Sequence, residues 1–211
     1  MLADPAHINR LATVLVVVPG TTGSFTVVNA RADGNTGAAI GAMFGLVGVT
    51  VGGVIDATMK SSSDARDMAR FENVPPPDGI RIAFVDAFRA AVARAGRPGI
   101  ELTDRSVGAA ESRKYEAVAI LAIGEWGLRR LERSERSAGG IAGFLDIDAR
   151  LSRSRDGEVL WSERETVIGK GRGDITAYQA DGELLRRELR ETFAAAGHRM
   201  AMEILYPRAR P

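Results

Sequence analysis

This 211-residue chain has no cysteine. That excludes disulfides, thiol catalysis and cysteine-based metal sites, and leaves the compartment open. There are two histidines, His7 and His198. A zinc centre built from one internal imidazole and no thiolate is not expected. The 28 basic and 27 acidic residues are interspersed and nearly cancel. Nothing in that balance suggests a nucleic-acid partner held by bulk charge. No Gly-x-Gly-x-x-Gly and no Gly-Lys-Ser/Thr triplet occurs, so no phosphate loop or cofactor is expected. Repeats of 20–50 residues are also lacking. As given, the N-terminus carries no secretion signal, because Met1–Arg10 is polar and Leu11–Val18 is too short and too β-branched for a signal core.

Charge is also missing from one long stretch. Between Asp33 and Asp56 no side chain is ionisable, and the segment is threaded with glycine. Gly37, Gly41 and Gly45 recur every fourth residue, and Gly48 and Gly52 resume that spacing after a slip of one. On a helix, positions four apart share a face, and a face without side chains lets another backbone come close. Glycine inside a water-exposed helix costs about 1 kcal/mol relative to alanine, so the segment needs compensation from elsewhere. Three sources of compensation remain open. One is a membrane, since about 20 apolar residues can span a bilayer. The others are a partner helix in an oligomer, and burial within the domain itself. These five glycines are the candidate contact residues, for an oligomer or a membrane.

The rest of the chain reads as one α/β domain, residues 1–211, interrupted by a glycine-rich helical insertion over 34–70. Leu11–Val18 is a near-continuous β-branched run stopped by Pro19-Gly20, which predicts a strand buried on both faces. Ser24–Asn29 predicts a second strand after a Gly/Thr turn. Pro75-Pro76-Pro77 is a stiff connector. Asp78 stands where a helix cap belongs, Ile80, Phe84, Phe88, Ala91 and Ala95 step at helical spacing, and Gly96 suits the stop. Ile100–Thr103 and Tyr115–Ile123 predict strands, the latter running on through Trp126 and Leu128. Leu145, Ile147, Ala149 and Leu151 alternate with Asp146, Asp148 and Arg150, predicting a half-buried strand. Asp156-Gly157 then signals a hairpin into Val159–Ile168. A strict two-residue turn there sets Arg150 opposite Glu163 and Asp148 opposite Glu165. Gly169–Gly173 reads as a flexible loop. The last element, from about Asp181 to Leu205, carries one apolar stripe of Leu185, Leu189, Phe193, Ala196, Met200 and Ile204. Glu188 lies off that stripe and is expected at the surface. The expected fold is a mixed sheet of about five strands packed against two long helices.

Few residues invite chemistry. Asp146 and Asp148 share a strand face and could hold a hard cation, but alternating charge on an exposed face is the plainer reading, and Glu163 and Glu165 are read the same way. Asp104, Glu111 and Glu125 stand near strand ends, and no spacing rule pairs any two of them. Gly169-Lys170-Gly171-Arg172-Gly173 could offer amides and cations to an anion, yet no helix follows it at once. His198, near the end of the last helix, is accounted for by the helix dipole alone. Trp126 and Trp161 read as core or interface aromatics. The arginines from Arg129 to Arg136 alternate with acids, which fits a solvated face.

The order helix, short strand, apolar strand and hairpin, with Asp156-Gly157-Glu158-Val159-Leu160-Trp161 at the turn and a long amphipathic helix at the end, resembles a group of bacterial envelope lipoproteins. These are the curli-secretion lipoprotein, the lipoprotein activators of penicillin-binding proteins, and α/β domains similar to the amino-terminal domain of the Tol-system propeller protein. The resemblance covers roughly residues 78–205, with Leu11–Val18 as the first strand. It implies an exported, non-enzymatic role in envelope assembly or secretion, exerted by oligomerising or docking on a partner. It also implies a periplasmic location at the outer membrane, with a leader and a lipid-bearing cysteine upstream of Met1. That cysteine is absent from the sequence as given, and the glycine segment is not part of the group's common core. A membrane-inserted or pore-associated subunit is the first alternative, and a small-ligand carrier or enzyme is the second. No catalytic, metal-ligating or cofactor-binding residue is assigned.

Overall fold

The computed structural model describes residues 11–20, 23–28, 71, 74–105, 107–131 and 140–206. Gly37, Gly41, Gly45, Gly48 and Gly52, the 34–70 insertion and His7 lie outside the described residues.

Among the described residues six strands form one mixed sheet: β1 (Val14–Val17), β2 (Phe25–Val28), β3 (Ile100–Thr103), β4 (Ala117–Leu131), β5 (Gly140–Arg153) and β6 (Val159–Ile168). The order is β3-β1-β4-β5-β6, with β2 also pairing β4. β1 is flanked by β3 and β4, both parallel to it, and Val14, Leu15, Val16 and Val17 are all buried. A strand buried on both faces needs an unbroken apolar run, which is why Leu11–Val18 does not alternate. β1 and β2 do not form a hairpin. Both run parallel to β4, one beside Ala117–Ile120 and the other beside Trp126–Arg129. The mixed α/β class is as expected, with one strand more than the five anticipated.

Among the described residues four helices accompany the sheet: α1 (Pro77–Arg94), α2 (Ala109–Ser112), α3 (Ile175–Ala180) and α4 (Gly182–Leu205). α1 begins one residue before the expected cap. Pro77 takes the first helical position, where a missing N–H costs nothing, and Asp78 makes no capping bond. Asp78 lies instead in the first turn, where the dipole favours its charge. Gly96, at φ 64°, follows the C-cap, in the left-handed region that favours glycine. In α4, Asp181 does cap. Its Oδ1 accepts from the N–H groups of Glu183 (2.9 Å) and Leu184 (3.1 Å).

α1 and α4 pack on each other and on one face of the sheet. Phe84, Phe88, Leu189 and Phe193 are fully buried with Leu121, Ile147 and Trp126 beneath them. All six expected stripe positions of α4 are buried. At the helix crossing, a Cβ on Gly197 would stand 2.1 Å from the backbone oxygen of Phe84. A close helix–helix contact through glycine thus exists in this fold, at a position the four-residue spacing did not flag. The edge of Trp126 meets Phe25 at 5.3 Å and Phe193 at 5.9 Å between ring centroids, and its indole N–H donates to Gly23 O at 2.7 Å.

The β5–β6 turn corrects the expected register. Arg153 and Glu158 close the turn, and Gly157 takes φ 75°. The loop is therefore longer than two residues. A bulge then follows between Leu151 and Ser152, leaving Leu160 without a partner. From there Asp148 faces Arg164, Ala149 faces Glu163, and Ile147 faces Glu165. The like-charge clash of the strict turn is thereby avoided, and an ion pair replaces it.

Candidate functional site

Asp146 and Asp148 do share the sheet face away from α1 and α4. Each is spent within the sheet. Asp148 holds Arg164 through two hydrogen bonds, of 2.8 and 3.2 Å, and Asp146 accepts from the Thr166 hydroxyl at 2.5 Å. On that same face the guanidinium of Arg129 lies 4.6 Å above the Phe144 ring, so it is an internal contact and not part of a solvated run. Glu163 and Glu165 are on the other face, in register with buried Ala149 and Ile147, which corrects their assignment to an exposed strand face. The Glu165 side chain is 9% exposed and pairs with Arg199 of α4. Burial raises its pKa, with Arg199 opposing and Glu163 and Glu203 adding to the shift. A raised carboxyl pKa means that the folded state disfavours the charge, so this group's contribution weakens as pH rises through its titration.

The segment Gly169–Gly173 is not a free anion loop. The amides of its three glycines are committed to the protein. Gly169 N–H donates to Gly143 O (2.8 Å) and Gly173 N–H to Ile141 O (3.0 Å). Gly171 N–H donates to Oε1 of Glu188 (3.2 Å), which also accepts from Gly143 N–H (2.8 Å). Glu188 is therefore buried, at 6% exposure, and not on the surface as its place off the stripe suggests. The glycines are what make room for it. A Cβ at Gly169 would lie 2.4 Å from Glu188 Oε1, and one at Gly171 would lie 2.1 Å from Oε2. Thr192, one turn on, fills the space against Gly143. A cleft of about 340 Å³ adjoins, lined by Lys170, Arg172, Tyr178, Arg187, Glu188 and Glu191 among others. Burial and the nearby Glu188 charge both raise the Tyr178 pKa, so the phenol stays protonated and donates to Ile141 O at 3.4 Å.

The remaining candidates are scattered. Asp104 lies 3.7 Å from Arg81, Glu111 pairs with Arg105, and Glu125 occupies the bulge of β4 between Ile123 and Trp126. His198 is exposed on α4. Trp126 is core, and Trp161 is half-buried. Among the described residues no group of His, Asp and Glu is placed to hold a metal, and no helix is long and apolar enough to cross a membrane.

A second surface is apolar, with two arginines that have no carboxylate partner among the described residues. Between α1 and β3 runs a groove of about 330 Å³. Its apolar lining is Phe88, Val92, Ile100 and Leu102, and Arg89 and Arg97 stand at its rim. Among the described residues β3 closes one end of the strand order, so the groove lies along a sheet edge. Sequence reasoning marked Ile100–Thr103 as a short strand. It had no signal that this strand would be an edge, because position in a sheet is set by pairings distant in sequence.

No family model matches the chain, and no curated protein does. Among solved structures it is similar to the PelC dodecamer from Paraburkholderia phytofirmans, at 13% identity and a TM-score of 0.44, over 99% of this chain and 96% of that one. It is also similar to a minor lipoprotein from Acinetobacter baumannii, at 13% identity and a TM-score of 0.37, over 61% of this chain and 88% of that one. A third likeness is to lipoprotein GNA1162 from Neisseria meningitidis, at 12% identity and a TM-score of 0.31, over 83% and 94% of the two chains. Lipoproteins thus stand among the structures it resembles, and at such identities none of them lends this chain a role.

Proposed function

We propose that this protein is a non-catalytic component of the bacterial cell envelope that works by association, either with copies of itself or by docking on an assembly or secretion machine. The observation that carries the reading is where the uncommitted groups lie. Among the described residues, the carboxylates that might have done chemistry hold arginines, a threonine or backbone amides, whereas the edge at β3 offers apolar surface and two arginines without a carboxylate partner. The wording of the 156–161 turn and the order of elements support the envelope placement, in the periplasm beside the outer membrane. They also support the finer kinship to curli-secretion and penicillin-binding-protein-activator lipoproteins. The glycine spacing from Gly37 to Gly52 supports a second contact, between helices. A membrane-inserted or pore-associated subunit is the second reading, favoured by the charge-free run from Gly34 to Ile55.

One experiment addresses location and association together. Cells expressing the complete gene are fractionated, and the protein's mass is measured by light scattering. The expected result is recovery from the envelope fraction as a particle heavier than the 22.5 kDa chain. Gly41→Leu or Gly45→Leu should lower that mass or the melting temperature through overpacking. Recovery of monomer from the cytosol would end the proposal. Unchanged mass and melting in both variants would remove the glycine contact.

A further inference from the structure

We propose that the cleft formed by the 169–173 segment, α3 and α4 binds a small amino-acid-like zwitterion, taking its ammonium at Glu188 and its carboxylate at Lys170 and Arg187, independently of any surface through which the chain associates.

The inner wall of this cleft carries an acceptor without a donor. Glu188 and Tyr178 both line it and are only 6% and 3% exposed. Glu188 Oε1 takes the N–H groups of Gly143 and Gly171, whereas Oε2 accepts from none of the described residues. An ionised carboxylate offers about four lone-pair sites, and one withdrawn from bulk water needs donors at both oxygens. The donors around it are already engaged. The N–H groups of Gly169, Gly171 and Gly173 are spent within the protein, and Tyr178 gives its hydroxyl proton to Ile141 O. Arg172 folds back and donates to the carbonyl oxygens of Gly169 and Gly171. Gly171 leaves Oε2 clear, since a Cβ there would stand 2.1 Å from it. A group that is all donor and carries positive charge suits this oxygen, and an ammonium has three N–H bonds and no acceptor.

The rim has the opposite character. Lys170 and Arg187 are exposed, line the same cleft, and form no ion pair with Glu188. They are the groups that would take a carboxylate. Glu191, also exposed at the rim, opposes a multiply charged anion there. The ionised lining is thus Lys170, Arg172 and Arg187 against Glu188 and Glu191, close to balance. A bare anion meets Glu188 and a bare cation meets the rim, whereas a ligand of both signs satisfies the two ends at once. The volume of about 340 Å³ admits a molecule of one or two residues.

The test uses the full chain, with alanine and the dipeptide Ala-Ala as probes, read by calorimetry and by melting temperature. At least one probe should bind saturably and raise the melting temperature. Its N-acetyl form lacks the ammonium and its C-terminal amide lacks the carboxylate, and each should bind at least about tenfold more weakly to the wild-type protein. Glu188→Gln keeps an acceptor for the two backbone amides but removes the charge at the inner wall, and should weaken the zwitterion by a similar factor while leaving the N-acetyl form unaffected. Arg187→Gln, at an exposed position, should weaken the zwitterion and leave the amide form unaffected. Arg190→Gln, exposed on α4 outside the lining, should change neither. If Glu188→Gln melts early, the capped probes and Arg187→Gln carry the test. Absence of saturable binding by both probes, equal binding of the capped forms, or indifference to Arg187→Gln would overturn the proposal.

Discussion

Glu188→Ala should cost the domain about 2–4 kcal/mol, although a helical wheel drawn from the stripe residues would call it a surface change. The side chain is buried, and its Oε1 accepts from two backbone amides, Gly143 N–H and Gly171 N–H. Truncation relieves the desolvation of a carboxylate. It also leaves two amides without their acceptor, at about 1–3 kcal/mol for each buried donor, and opens a void among Gly143, Gly169 and Gly171. Glu188→Gln keeps an acceptor oxygen and should recover most of the loss. Urea melts of the two variants, compared at unchanged slope, read this directly. If Glu188→Ala lay within about 0.5 kcal/mol of wild type, the carboxylate would not be what holds the 169–173 segment against β5.

The second large effect is in the core beneath α4. Phe193→Ala should cost about 3–5 kcal/mol and Leu189→Ala about 2–5 kcal/mol. Both side chains are fully buried, and Phe193 meets the edge of Trp126 at 5.9 Å. Neither site can refill easily, because Gly197 already brings α4 against the Phe84 carbonyl and leaves no slack for the helix to move inward. Losses of that size are a large part of an ordinary domain's stability. Arg190→Ala, on the exposed side of the same helix, should stay within about 0.5 kcal/mol. Denaturant melts of the three variants make the comparison. A penalty at Arg190 equal to that at Leu189 would mean that α4 is buried on both sides and belongs to an interface between subunits.

The elements themselves were legible because local rules decide them. The unbroken Leu11–Val18 run, the 145–151 alternation and the α4 stripe each state their own burial. What the sequence did not disclose was pairing and the breadth of burial. The 153–158 loop moves the register two residues from the strict turn and the bulge at Leu160 returns one, and together they set Asp148 opposite Arg164 instead of Glu165. Glu188 and Thr192 are buried because the covered arc of α4 is wider than one stripe, extending through 188, 192, 197 and 201. A reading that allowed two buried positions per turn would have enclosed them. Even then, only the distant Gly143, Gly169 and Gly171 explain why a carboxylate is tolerated there. Glu163 and Glu165 look like ordinary exposed alternation, and their inward orientation follows from the same one-residue shift in register. The glycine-rich run that dominates the sequence lies outside the described residues, so its part in the account rests on its spacing alone.

The central claim is that the chain acts through a surface and not through a reaction. Complementation of a deletion strain tests it with two folded, normally abundant variants side by side. One carries His198→Ala with Asp146→Asn and Asp148→Asn, removing an exposed imidazole and the only carboxylate pair facing away from the helices on β5. The other carries Arg89→Glu with Arg97→Glu at the groove. The first should restore function, and the second should not. Failure of the first with success of the second would contradict the account and return the protein to the enzymes or metal binders.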